Sequence, residues 1–349
     1  MAKKRKKKKK KKAVYKYIVI GASALAAIAL FCLVCLYRMA YSLPPEGPAT
    51  VITIPKNATN ESISDSLTSN LGDYGKTVYR LWCLRGGEAE NAPGVYMVAD
   101  DDKAWSLASR IKDGRSSAIK VTFNNIRLLS DLAETLSRNF LWNADDFLAA
   151  CDSILPTKGF KKDEFAAAFL PDTYEFYASA EASEVVSKLL DHRNHYWNEE
   201  RRERAKELGL TPVKVAVIAS IVEEESNNRD ERPAIARLYM NRLEQNMPLQ
   251  ADPTVKFALG DFSLKRIYNH HTQVESPYNT YRVKGLPPGP IRIAERSTLE
   301  AVLNAPDNDY LYMCAKPGGV GTHNFSRDYA EHLRNARAYQ QWLDNINIK

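Results

Sequence analysis

A run of 21 uncharged residues, 17–37, constrains the fold of this chain more than any other feature. It is rich in Ile, Leu, Ala, Val and Phe, and at about 1.5 Å per residue a helix of that length crosses a bilayer core. Ten consecutive basic residues, 3–12, precede it, and Arg38 follows it. We predict an uncleaved transmembrane helix with its N-terminus in the cytoplasm, because basic residues favour the cytoplasmic side. A cleaved signal peptide is the alternative, although its apolar core is usually shorter.

The basic arm also accounts for the net charge of +7. Without those ten residues the chain carries 39 basic and 42 acidic side chains. The folded part is therefore not basic, and we expect no nucleic-acid partner. Two of the five cysteines lie in the apolar run, and the other three are widely spaced. This pattern favours neither a disulfide framework nor a metal site, and we expect no cofactor.

Residues 51–157 follow a Pro-rich linker at 38–50. Their sequence pattern predicts small α/β units. Alternating or β-branched runs predict strands, and apolar residues at helical spacing predict short helices. The strands are expected at 51–54, 94–98 and 119–123, and the helices at 60–71, 104–111 and 128–140. From pattern alone, a structural and a carbohydrate-binding role remain equally open.

Residues 158–349 predict a larger mixed α/β domain, so the fold class is α+β. A turn flanked by aromatic residues is expected at 169–176. A charged helical region is expected at 183–209, with Ser183 as its N-cap and Gly209 as its stop. An amphipathic helix is expected at 233–245, where Ile235, Leu238, Tyr239 and Leu243 form a stripe that we interpret as core packing.

The helix beginning at Thr211 and Pro212 is almost wholly apolar, yet it ends in Glu223, Glu224 and Glu225. At about 100° per residue, Glu225 falls in the middle of the aliphatic face, whereas Glu223 points to nearly the opposite side. Desolvation and the negative end of the helix dipole both raise the pKa of a carboxyl group placed there. That is what a proton donor near neutral pH requires. A frayed helix end with three solvated acids is the alternative.

Three loop-like segments follow, at 249–254, at 276–281 running into 285–291, and at 318–326. Their Gln, Asn, Thr and Tyr side chains supply the amide and hydroxyl groups that bind sugars, and their rings offer stacking surfaces. Each segment alone is also compatible with an ordinary turn. His270, His271 and His323 do not form a metalloenzyme motif.

These segments resemble a known family. The resemblance is carried by 219–226 (Ala-Ser-Ile-Val-Glu-Glu-Glu-Ser), 241–243, 249–255, 278–291 and 323–325. From about residue 169 onward the sequence is similar to the endolytic murein transglycosylases, or YceG-like proteins. The resemblance implies that Glu225, the last glutamate of the Glu-x-Glu element, is the catalytic acid. It also implies that the upstream α/β units are LysM-like and face peptidoglycan.

The resemblance implies a lyase that cleaves the β-1,4 bond between N-acetylmuramic acid and N-acetylglucosamine and leaves 1,6-anhydro ends. One carboxyl group suffices, because the muramic 6-hydroxyl is an internal nucleophile. Glu223 is a candidate to tune Glu225, and a solvated role is its alternative. The candidates to bind the sugar are Gln250, Asp252, Tyr278, Asn279, His323 and Asn324.

Two other functions remain open. One is a glycoside hydrolase that pairs Glu225 with Asp252 or Glu223, and the other is a non-catalytic wall-binding scaffold. The expected partners are glycan strands, the membrane and, by resemblance, cell-wall synthases near which cleavage would end nascent strands. The catalytic domain is expected outside the cytoplasm. The basic arm departs from the family pattern and bears on membrane-surface contact.

Overall fold

The computed structural model describes residues 2–318 and 321–346, with side chains described from residue 15 onward. The chain forms two compact units, Met1–Ile119 with Tyr177–Ser179 and Lys120–Phe176 with Ala180–Lys349. The first unit contains α1 (Ala2–Ala40), β1 (Thr50–Ile54), α2 (Asn60–Leu84), β2 (Gly94–Val98) and α3 (Ala104–Lys112). The side chains of the basic arm at 3–12 lie outside the described part.

Helix α1 is compatible with the predicted membrane anchor. Its segment Tyr15–Ala40 is 26 residues long and apolar enough to cross a membrane. Side chains from 15 to 38 are exposed within the protein, as expected for a surface that contacts lipid. In the described part of the chain, this is the one helix that meets these criteria.

The core of the first unit lies between a two-stranded sheet and helices α2 and α3. Strands β1 and β2 are antiparallel, with Ile52 opposite Tyr96. Helix α2 breaks at Gly72, whose φ of 59° is left-handed. A Cβ on Gly75 would lie 2.0 Å from the Leu67 carbonyl oxygen, so this close approach requires glycine. The structure confirms the strands predicted at 51–54 and 94–98 and the helix predicted at 104–111. The helix predicted at 60–71 is confirmed as the first half of α2, which continues after the break.

The second unit holds most of the helices. Its elements are β3 (Ala118–Phe123, which begins just before the unit), α4 (Leu129–Ser137), α5 (Ala144–Ile154), β4 (Asp172–Tyr177), α6 (Ala182–Tyr196), α7 (Glu199–Glu207), α8 (Pro212–Glu225), α9 (Arg232–Glu244), α10 (Asp252–Leu259), α11 (Arg296–Leu303), β5 (Tyr312–Ala315), β6 (His323–Ser326) and α12 (Tyr329–Asn345). Strands β3 and β4 form one two-stranded sheet, and β5 and β6 form another, which is antiparallel. Helix α8 packs against α9, α10 and α11. The mixed α and β architecture is as predicted.

Several local predictions were wrong. The region 183–209 is two helices, since Asn198 caps α7 by accepting a hydrogen bond from the backbone N–H of Arg201 at 3.0 Å. The N-cap of α6 is Glu181 and not Ser183. The segments 169–176 and 318–326 contain strands β4 and β6, although Gly319 and Val320 lie outside the described residues. The domain boundary predicted between residues 157 and 158 stays a prediction.

Candidate active site

Helix α8 is buried on all sides over most of its length. The Thr211 hydroxyl accepts a hydrogen bond from the backbone N–H of Lys214 at 3.2 Å, and Pro212 is the first helical residue, as predicted. Every residue from Val215 to Glu223 is buried. Burial therefore extends beyond the aliphatic face that contains Glu225, because α8 packs against α7, α9, α10 and α11. Buried carboxylates at its end require partners.

Glu223 is bound by a buried polar network. Its side chain is 3% exposed, and its carboxylate lies 3.0 Å from the guanidinium of Arg292. It also accepts hydrogen bonds from the Thr298 hydroxyl at 2.7 Å and from the backbone N–H of Glu295 at 2.9 Å. The alternative of a solvated Glu223 is thereby contradicted. These contacts join the end of α8 to the start of α11.

Glu224 is also paired with arginine. Its carboxylate lies 2.7 Å from Arg292 and 2.8 Å from Arg127. Two adjacent glutamates therefore share one guanidinium, and each accepts additional donors. Such charge-assisted contacts hold a carboxylate in one geometry.

Glu225, the last residue of α8, has a different environment. Its Oε1 accepts a hydrogen bond from the Tyr239 hydroxyl at 2.8 Å, and it forms no ion pair with Lys or Arg in the described part of the chain. Burial raises the pKa of Glu225 to about 7, and the negative charge of Asp252 acts in the same direction. The hydrogen bond from Tyr239 opposes this rise in pKa. A carboxyl group with such a pKa can donate and accept a proton near neutral pH.

Glu225 opens into a polar cavity of about 220 Å³. Its walls come from α8, α9, the loop before α10, the loop at 281 and strands β5 and β6. The lining residues include Glu225, Leu238, Tyr239, Arg242, Leu249, Gln250, Asp252, Tyr281, Met313, Cys314, Ala315 and His323. The size and the polar walls fit part of a sugar and not a large apolar ligand.

One wall is shaped by the entry to α10. Gln250 has φ of 52°, a left-handed conformation that a residue other than glycine seldom adopts, and its N–H donates to the carbonyl of Thr280 at 3.1 Å. Asp252 begins α10, and its carboxylate accepts a hydrogen bond from the Tyr281 hydroxyl at 2.6 Å. Unusual backbone geometry held by neighbours is typical of binding and catalytic sites.

Arg242 connects the walls of the cavity. It is buried, and its guanidinium donates to the carbonyls of Leu311 at 2.6 Å and Leu249 at 2.8 Å. It also donates to the side chain of Gln250 at 3.3 Å. Burial lowers the pKa of Arg242. Because it binds the loop before α10 and the chain entering β5, it positions both walls relative to α9.

His323 reaches the cavity from β6. Its backbone N–H donates to Glu231 Oε1 at 2.7 Å, and its Nδ1 lies 3.1 Å from Glu231 Oε2. We assign the ring proton to Nδ1 from this contact, which leaves Nε2 as a hydrogen-bond acceptor. Glu231 thus fixes both the backbone and the ring of His323.

The structure brings together four of the predicted site residues: Glu225, Gln250, Asp252 and His323 all line the cavity. Among the other candidates, Glu223 lies in the arginine network, and Asn324 lies on β6 opposite Cys314 without lining the cavity. Among the described residues, no three His, Cys, Asp or Glu side chains are grouped so that they could hold a metal ion.

Tyr278 and Asn279 also lie outside the cavity lining. The Tyr278 hydroxyl is 3.4 Å from Asp163. Asn279 is fully buried, and its amide nitrogen donates to the carbonyls of Thr272 at 2.9 Å and Val274 at 2.7 Å. Its amide is therefore used to organise the loop that carries Tyr281.

Sequence reasoning missed Tyr239, Arg242 and Tyr281 as site residues. Tyr239 was interpreted as core packing because its spacing matches the apolar stripe of α9. The hydroxyl could have indicated a polar role, because a buried tyrosine hydroxyl normally has a hydrogen-bond partner. Arg242 gave a similar signal, since a buried guanidinium must be paired or bound to carbonyls.

The sequence and the fold identify the family to which this chain belongs. Residues 52–338 match the model of the YceG-like family, and the chain therefore belongs to that family. This confirms the resemblance drawn from the sequence motifs. A crystal structure of a YceG-like protein from Listeria monocytogenes shares the fold, with a TM-score of 0.54 and 23% identity over 83% of this chain and 99% of that one.

Relatives of this chain carry the name endolytic murein transglycosylase. The protein of that name from Bacillus subtilis (strain 168) is 25% identical over 315 residues, which cover 85% of this chain and 86% of the relative. Two proteins of that name from Streptococcus pneumoniae match shorter stretches. The strain D39 protein is 29% identical over 47% of this chain and 30% of its own length, and the strain R6 protein is 33% identical over 37% and 24%.

Proposed function

We propose that this chain is a membrane-anchored lytic transglycosylase that cuts within peptidoglycan strands. The observation that carries the proposal is Glu225, whose pKa is raised to about 7 by burial and which opens into a polar cavity. The name shared by its relatives supports the substrate, and the family assignment supports the reaction. The bond cut is the β-1,4 bond between N-acetylmuramic acid and N-acetylglucosamine.

Protonated Glu225 donates its proton to the glycosidic oxygen as the bond from that oxygen to muramic C1 breaks. The Glu225 carboxylate then accepts the proton of the muramic C6 hydroxyl as that oxygen bonds to C1. The product is a 1,6-anhydro ring, no water is consumed, and Glu225 returns to its protonated form. Since the Tyr239 hydroxyl donates to Oε1, the acid proton resides on Oε2.

The other cavity residues bind and orient the sugar. Gln250 offers its amide, Asp252 its carboxylate and His323 the Nε2 acceptor to hydroxyl and acetamido groups. Tyr278, Asn279 and Asn324 remain candidates from the sequence, acting through the loop and strand that they form. Tuning of Glu225 by Glu223 acts through the helix end that Glu223 fixes.

A glycoside hydrolase is the second candidate function, favoured by the carboxylate of Asp252 on the same cavity. A hydrolase would use that carboxylate to activate water or to form a covalent intermediate. Glu223 is unsuited to this role because it is buried and paired with Arg292. The end groups of the product separate the two functions.

The region 51–157 is proposed to include a LysM-like, glycan-facing unit, with catalysis assigned to 158–349. The break at Gly72 divides α2 into two short helices, which lie between the paired antiparallel strands β1 and β2. This order of elements supports the proposal.

We further propose a single crossing of the cytoplasmic membrane by residues 17–37, an N-terminus in the cytoplasm and a catalytic domain outside it. Cell-wall synthases are the proposed protein partners.

The test is digestion of purified, uncrosslinked glycan strands by the full chain in detergent, with mass spectrometry of the new ends. Internal cuts with 1,6-anhydro-muramic ends are expected, and Glu225→Gln should abolish them. Reducing muramic ends would establish the hydrolase instead. A protein that binds strands without cutting them would establish the scaffold.

A further inference from the structure

A larger cavity, of about 710 Å³, lies within the first unit. One wall is the last part of α1, and the facing wall is formed by α2 and α3. Its lining is mostly apolar and includes Leu33, Val34, Tyr37, Leu81 and Trp105. This cavity has no role in the proposed cleavage.

The position of the cavity along α1 determines what can fill it. Leu33 and Tyr41, which both line it, are separated by about 12 Å of helix. Residues 33–37 belong to the predicted membrane span, so the cavity begins inside the apolar span and ends beyond it. The end of α1 is fixed to the first unit because Met39 packs on its core and the Ser42 carbonyl accepts a hydrogen bond from Ala104 N–H at 3.0 Å. An apolar space of this kind excludes water, and at the depth of the predicted span lipid chains are the available occupant.

Two cations without acidic partners lie over aromatic rings that line this cavity. The Arg85 guanidinium lies 4.1 Å from the centre of the Trp105 ring, and the Lys103 ammonium lies 5.0 Å from that of Tyr41. Neither cation forms an ion pair among the described residues, and the buried Nε of Arg85 has no hydrogen-bond partner there. Trp105 is 48% exposed and Tyr41 is 51% exposed. Exposed aromatic rings with unpaired basic side chains are typical of a membrane interface.

We propose that this cavity binds an acidic phospholipid, with an acyl chain against α1 and Trp105 and the phosphate between Arg85 and Lys103. The ligand would hold the first unit against the membrane surface. The apolar lining accounts for the chain, and the two unpaired cations account for the preference for a phosphate with net negative charge. This inference rests on the proposed membrane anchor and is independent of the cleavage chemistry.

The test uses the full chain in nanodiscs of phosphatidylcholine and phosphatidylglycerol, with bromine atoms on the acyl chains of one lipid at a time. Bromine quenches nearby tryptophan, and the difference between the wild type and Trp105→Phe isolates the signal of Trp105. At equal bromine content and equal lipid ratio, we expect phosphatidylglycerol to be enriched about tenfold beside Trp105, in line with the attraction of two cations for anionic lipid. The double variant Arg85→Gln/Lys103→Gln should lose the preference.

Arg115→Gln is the matched control, because Arg115 belongs to the same unit but is already paired with Asp113. It should keep the preference for phosphatidylglycerol. Equal quenching of Trp105 by both lipids, no quenching at all, or a preference that persists in the double variant would each overturn the proposal. Glycan cleavage by the same preparations reports on the proposed enzymatic function separately, and retention in the nanodisc reports on the anchor.

Discussion

The end of α8 has two sides that differ sharply although their glutamates are adjacent in the chain. On the arginine side, Glu223 and Glu224 are bound by Arg292 and Arg127 at 2.7–3.0 Å. On the tyrosine side, Glu225 is bound by the hydroxyl of Tyr239. One side supplies full positive charges, and the other supplies a neutral donor.

This difference separates two structural acids from the proposed catalytic acid. A guanidinium stabilises a carboxylate through its charge and through several donors. A phenol supplies one hydrogen bond and no charge, so burial dominates and raises the pKa of Glu225 to about 7. The helix can thus be anchored by two glutamates while the third remains free to transfer a proton.

The largest expected effect is on catalysis by Glu225. Glu225→Gln keeps the size of the side chain and an acceptor for Tyr239 but cannot transfer a proton. We expect the rate of glycan cleavage to fall by at least about 10³-fold, in the range of general acid–base catalysis. The measurement is the initial rate of release of anhydro-muramic ends, with the exposed Glu203→Gln as a control that should keep full activity. Substantial activity in Glu225→Gln would remove Glu225 from the mechanism.

On the arginine side the expected effect is on stability. Glu223→Gln removes the charge that faces buried Arg292, and Arg232 lies 3.9 Å from the same carboxylate. Loss of one partner of a buried ion pair costs about 3 kcal/mol, and we expect the free energy of unfolding to fall by that amount. The measurement is urea unfolding of the wild type and the variant.

The control for this change is Glu175→Gln. Glu175 pairs with Lys120 at 3.5 Å, and both side chains are more than half exposed. The same substitution should therefore change the free energy of unfolding by less than about 1 kcal/mol. Equal losses in the two variants would show that the arginine side does not anchor α8.

The tyrosine side should instead be a source of instability at neutral pH. The pKa of Glu225 is raised from 4.5 to about 7, so the folded protein binds this proton more tightly than the unfolded chain. Its contribution to stability is therefore complete below about pH 4.5 and is lost as pH rises to about 7. Because Glu225 partly reaches solvent in the cavity, we expect a loss of about 2 kcal/mol. Glu225→Gln should remove this pH dependence, measured as the difference in unfolding free energy between the two proteins at pH 5 and pH 8.

Local signals in the sequence predicted the start of α8 correctly, since Thr211 is its N-cap and Pro212 its first residue. The apolar composition of α8 and its three terminal acids led to the proposal of Glu225 as the acid. The solvated alternative for Glu223 was wrong because distant segments supply partners for its carboxylate. Arg232 comes from α9, Thr298 from α11 and Arg292 from the loop before α11. Helical spacing on one element contains no information about these distant partners.

The same limit explains the other differences. Strand β6 forms because His323 lies opposite Ala315 and Asn324 opposite Cys314, and four residues with no clear alternation do not predict such pairing. Tyr239 has the spacing of a core residue, and only the position of α8 reveals its hydroxyl as a partner of Glu225. Apolar periodicity predicted most of these elements, although the caps at Glu181 and Asn198 were missed. Contacts between segments far apart in the chain were not predicted.

The smallest expected effect is a shift in pH dependence caused by the Tyr239 hydroxyl. This hydroxyl stabilises ionised Glu225 and opposes the rise in its pKa. Cleavage requires protonated Glu225, so kcat/KM should fall as pH rises through about 7. In Tyr239→Phe the pKa of Glu225 should rise further, and the fall should move to higher pH by about one unit, which corresponds to the loss of a hydrogen bond to a charged group. Tyr174→Phe is the control, because the buried hydroxyl of Tyr174 donates to the carbonyl of Leu170 at 2.6 Å, and this variant should leave the profile unchanged. If Tyr239 were purely structural, Tyr239→Phe would lower kcat/KM at every pH without moving the pH profile. The arginine side and the tyrosine side of α8 would then differ in charge alone.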